Sequence, residues 1–161
     1  MVPNTEHVAH GVQALNVFIM RAEGIGSCFC LAERAIVGQA MAAEYVSRNF
    51  APAAREELGD DLTAMALGDM AADLFHAARG VITPGALIKA AMIEVTKTVS
   101  MVPVLCRLGE EGRAELFVNA LASVLAYGEL VEIAPGEITD HAFGCYQDEV
   151  SREAWLRHQE S

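Results

Sequence analysis

Asp69, Asp73 and His76 stand at i, i+4 and i+7, a spacing that brings side chains onto one face of an α-helix. Two carboxylate oxygens and an imidazole nitrogen so placed could hold a divalent metal ion. The same segment carries an apolar stripe, Leu67, Met70 and Leu74, about 150° away around the helix. The acidic face is therefore expected to look at water, and to serve a metal only if a second helix or chain covers it. His7 and His10, with Glu6 beside them, are a second candidate metal pair, because imidazoles at i and i+3 can share an ion. They fall near a helix start, where exposed histidines are tolerated, but Ala14, Val17 and Phe18 continue roughly the same side. His7, His10 or His141 could join the Asp69, Asp73 and His76 group.

Other chemistry finds less support. Cys28-Phe29-Cys30 lies at a helix start, whose positive end favours thiolates, yet two residues apart on a helix the thiols diverge. Free cysteine is ordinarily a small buried hydrophobe. Gly24-Ile25-Gly26-Ser27 precedes a helix as phosphate-binding turns do, but without the lysine or glycine pattern of those motifs it reads as an interhelical turn. Glu33 and Glu44 lie on one flank of their helix and Arg34 and Arg48 on the other, which reads as a solvated edge. There is no Glu-x-x-His, His-Glu-x-x-His or Gly-x-Ser-x-Gly, so no catalytic residue and no cofactor requirement can be named.

The elements that would position these groups are helical. With 161 residues and 53 % hydrophobic content, the chain is long enough for one domain with its own core. Asn4 or Thr5 opens a helix to about Ala22, with Val8, Val12, Leu15 and Ile19 as its expected core stripe. Ser27 is expected to cap a second, to about Asn49. Pro52 opens a short third that Gly59 stops, and Asp60 or Asp61 caps a fourth to about Arg79. Thr83-Pro84 begins a segment apolar nearly all round, expected to be a central hydrophobic helix near residues 84–106 with a kink or end at Pro103. Further helices are expected at about 113–130 and about 139–158. The fold class expected is all-α, a single domain (1–161) forming a compact bundle of about six to seven helices.

In the second helix Cys28, Leu31, Ala35, Gly38, Ala42 and Tyr45 share a stripe. The absence of bulk at Ala35, Gly38 and Ala42 predicts close approach of another helix, and with the excess of apolar residues it suggests a homo-oligomer, most simply a dimer. The last helix has a weak stripe, and Tyr146 and Trp155 are its candidate interface anchors. A net charge of −11 argues against nucleic acid or an anionic membrane as partner and suits a basic protein. No apolar run is long enough to span a bilayer, and four cysteines without a signal peptide suggest the cytoplasm. The leading expectation is a non-enzymatic homodimer working by contact, as adaptor, chaperone-like binder or inhibitor. The alternative is a metal or small-molecule site between helices, with or without catalysis, built from Asp69, Asp73 and His76 and joined by His7, His10 or His141.

Overall fold

A computed structural model describes residues 3–25, 29–98 and 112–160. They form α1 (Pro3–Glu23), α2 (Leu31–Asn49), α3 (Pro52–Leu58), α4 (Leu62–Ala77), α5 (Pro84–Glu94), α6 (Arg113–Leu130) and α7 (Pro135–Gln159), with a 3₁₀ turn at Gly59–Asp61 before α4. The all-α bundle is as expected. Proline and capping residues explain several boundaries. Pro52, Pro84 and Pro135 occupy first-turn positions, where a missing N–H costs nothing. Thr83 Oγ1 accepts from the Ala86 N–H at 3.3 Å to cap α5. Two starts differ from expectation. The second helix begins at Leu31 behind Cys30, whose N–H donates to Glu33 Oε2 at 3.2 Å, and the last begins at Pro135 instead of near Thr139.

The centre of the bundle is also different. Among the described residues the most enclosed helices are α4 and α6, buried on nearly every side from Ala66 to His76 and from Leu116 to Ala126. On α5 only Leu87 and Ala91 are buried, with Val95 just beyond, and Ile93 is exposed. The helix stops at Glu94, short of the end expected at Pro103, and residues 95–98 are turn and coil; residues 99–106, with Pro103 and Cys106, lie outside the described residues, as do Gly26, Ser27 and Cys28. No described helix is long and apolar enough to cross a membrane.

Four packings build the core: α2 along α6, α1 along α4, α7 along α4, and α5 along α6. The small-residue seam belongs to the first. A Cβ added at Gly38 would lie 2.0 Å from the Ser123 carbonyl oxygen of α6, so only glycine permits this approach. Ala35 and Ala42 are buried beside it. The helix that fills the seam is thus the chain's own α6. Arg34 is fully buried too, and is not on a solvated edge. Its guanidinium donates to Asn119 Oδ1 at 2.9 Å and Glu94 Oε1 at 3.3 Å and covers the Phe29 ring at 4.6 Å. A charge this deep needs such partners, and here they tie α2, α5 and α6 together.

Candidate metal centre

The buried stripe of α1 runs through Ala22, Phe18, Leu15, Ala14 and Gly11, not through Val12, which is 40 % exposed. Continued toward the N-terminus at helical spacing, that stripe reaches His10 and His7. Gly11 sets how near they come to α4. A Cβ there would stand 2.1 Å from the Asp73 carbonyl oxygen and 2.8 Å from Ala77 Cβ. With no side chain in the way, α1 lies against the backbone of α4 at the level of Asp73.

The acidic face of α4 is covered, contrary to the expectation that it looks at water. Helix α1 lies over one side of it and α7 over another. Asp73 and His76 are 2 % and 1 % exposed, and Asp69 is half-buried. The reason is that α4 is central. Its apolar stripe and its polar face both point into the protein.

Asp73 is the hub. His7 Nδ1 lies 2.6 Å from its Oδ1, Tyr45 Oη donates to its Oδ2 at 2.5 Å, and His10 Nδ1 lies 3.5 Å from the same oxygen. Burial dominates its titration and pushes the carboxyl up to about 6, against the opposing pull of the Tyr45 and His7 hydrogen bonds and the two histidines. Burial, then the neighbouring Asp73 carboxylate, likewise pushes the Tyr45 phenol upward, so it remains a donor. Burial raises Asp69 as well, with Glu149 adding to it and His141 opposing.

Glu149 completes the group from α7. Its Oε1 lies 3.3 Å from His7 Nε2 and its Oε2 lies 2.5 Å from His76 Nε2. His7 therefore has a carboxylate at each ring nitrogen. Its ring also stacks on that of His76 at 5.1 Å. Burial holds His76 below the usual histidine range, which favours a neutral ring donating Nε2–H to Glu149. Tyr146 packs on His76 at 4.7 Å and on Phe75 at 6.0 Å, so this expected interface anchor contacts its own chain. Trp155 is 59 % exposed farther along α7.

His7, His10, Asp69, Asp73 and Glu149 line one cavity of about 260 Å³, whose wall is completed by Tyr45, Asn49, Phe50 and Ala72. His76 stands behind Glu149 and is not in the described lining. The five donors come from α1, α4 and α7, and the described lining holds no Lys or Arg. Two imidazoles and three carboxylates are donor types that manganese, iron or zinc accept as divalent ions, but no three of these five have ligand atoms all within 4.8 Å of one another, so an ion would have to draw them together. Tyr45 and His76 would orient the carboxylates from behind, the role that outer hydrogen-bond partners play in metal sites.

All five candidate metal residues read from the sequence thus lie in or directly behind one cluster. Glu149 and Tyr45 were missed. Glu149 had a signal, since His141, Cys145 and Glu149 recur every four residues on one face of α7. Tyr45 had none, for its stripe position reads as core. Comparison with known proteins finds no matching family model, no matching characterised protein and no matching solved structure.

Proposed function

We propose that this protein binds a divalent transition-metal ion between α1, α4 and α7 and presents it to a small ligand in the adjoining cavity. The observation that carries this reading is that His7, His10, Asp69, Asp73 and Glu149 line one cavity from three helices, with no Lys or Arg in its described wall. Three carboxylates crowded together repel one another when ionised, and burial raises the cost. A divalent cation would remove both penalties, which is why such a set favours metal over an organic anion. The ion would meet a cavity with room for water or a few heavy atoms, and would polarise whatever oxygen it held. The contact-protein reading drew on the absence of a convergent polar cluster, and this cluster takes that support away.

The test is calorimetric titration of EDTA-treated protein with Mn²⁺, anaerobic Fe²⁺ and Zn²⁺ in turn. At least one of these ions should bind at a site that is lost in a His7→Ala/His10→Ala variant and weakened at least tenfold in Glu149→Gln, both variants keeping wild-type helicity. Binding unchanged in both variants, or no binding of any of the three ions to the wild type, overturns the reading.

A further inference from the structure

Beside the cavity, the N-terminal part of the α7 stripe meets α4 again. Asp69 Oδ1 lies 3.1 Å from His141 Nε2, and the same nitrogen lies 3.5 Å from Cys145 Sγ. An oxygen, a nitrogen and a sulfur thus lie within 4.8 Å of one another. Ligands held at 2.0–2.3 Å around a tetrahedral zinc ion stand about 3.3–3.8 Å apart, close to this spacing. One imidazole nitrogen facing both a carboxylate and a thiol can satisfy only one of them by a proton, whereas a cation midway satisfies all three.

The placement is built into both helices. His141 and Cys145 are one turn apart on α7 and so share a face. Across from them, a Cβ on Gly68 would fall 2.1 Å from His141 Cδ2. Glycine at position 68, next to Asp69, is what allows the imidazole to lie on the α4 backbone. Asp69, His141 and Cys145 are each only partly buried, which leaves a path for an ion and a fourth position for water.

We infer that Asp69, His141 and Cys145 form a second metal subsite, selective for a thiophilic divalent ion such as Zn²⁺. The thiol proton leaves to solvent as the ion binds, so affinity rises with pH. The softness of sulfur distinguishes this subsite from the nitrogen and oxygen set of His7, His10, Asp73 and Glu149. Asp69 lines the cavity as well, so with both subsites filled its carboxylate joins them. Only that joined form rests on the proposed function; the subsite itself stands on its own donors.

The experiment is titration of the EDTA-treated, reduced full-length protein with Co²⁺, which reports thiolate ligation by a sulfur-to-cobalt charge-transfer absorption in the near ultraviolet. The band should saturate at one Co²⁺ per chain. It should be lost in Cys145→Ser and His141→Ala, weakened in Gly68→Ala, and retained in Cys30→Ser and in His7→Ala/His10→Ala. Absence of the band in the wild type, or a band that survives Cys145→Ser in a folded protein, overturns the subsite. Failure of the neighbouring cavity reads out separately, as a His7→Ala/His10→Ala variant that binds as many ions as the wild type and keeps the band.

Discussion

Replacing Gly11 by alanine tests whether the close contact of α1 with α4 is what assembles the donor set. In an isolated helix this change would stabilise by about 1 kcal/mol, because alanine is the better helix former. Here the new Cβ would stand 2.1 Å from the Asp73 carbonyl oxygen, and an ordinary contact needs roughly 3.3 Å or more. Both atoms belong to helical backbone, so α1 must retreat by about 1 Å. A retreat of that size takes the His7–Asp73 contact from 2.6 Å to about 3.6 Å, beyond hydrogen-bond range, and carries His10 away as well. Overpacking of this kind costs about 1–3 kcal/mol, and a backbone clash belongs at the upper end. The net loss is then about 2 kcal/mol, or roughly 4–8 °C in Tm for a chain of this size. Thermal melts followed by circular dichroism and metal content of the same preparations give both readouts. Gly11→Ala should melt lower and bind metal at least tenfold more weakly although no donor has changed. A variant with raised Tm and unaltered metal affinity would show that the close contact of α1 with α4 does not assemble the donor set.

Tyr45→Phe removes one donor from Asp73 and leaves the ring, so metal affinity should fall about 10–100-fold with Tm changed by only a few degrees, as checked by calorimetry and melting. Gly38→Ala should lower Tm by several degrees in thermal melts, because its new Cβ would clash with the Ser123 carbonyl on α6; an unchanged Tm would count against that close approach. Asp73 gives a pH signature in the metal-free protein. Its carboxyl rises from 3.8 unfolded to about 6 folded, so its contribution is complete below the unfolded value and is lost as pH climbs through 6. Two units correspond to about 3 kcal/mol. His76 acts the other way, its contribution being lost as pH falls, since its folded value is depressed. Comparison of wild type with Asp73→Asn by urea unfolding between pH 4 and 7 isolates the aspartate. The wild type should lose stability relative to the variant as pH rises, and parallel curves would count against a buried, raised carboxyl.

Much of the frame was legible. Helices at 52–58 and 113–130 carry their own start and stop signals, and Asp69, Asp73 and His76 announce a shared face by spacing alone. That this face is interior was not legible from its own helix, because a polar face opposite an apolar stripe looks the same whether water or another helix covers it. The clue lay around the rest of α4, where Ala66, Ala71 and Ala72 leave little bulk on any side and suit an element surrounded by neighbours. On α7, His141, Cys145 and Glu149 are interleaved with exposed acidic residues, which hides their stripe in a solvated pattern. Gly38 shows a further limit. Small residues specify that a helix comes close, but not which helix, and here it is α6 of the same chain.

The most direct test is anomalous diffraction from crystals of the protein loaded with Mn²⁺ or Zn²⁺, recorded at the absorption edge of the ion. A peak is expected within coordination distance of at least one histidine from α1 and of the carboxylates of Asp73 and Glu149, with Tyr45 and His76 hydrogen-bonded to those carboxylates. Peaks only at surface carboxylates, with the His7–Asp73 and His76–Glu149 contacts intact and the cavity holding no ion, would contradict that metal site.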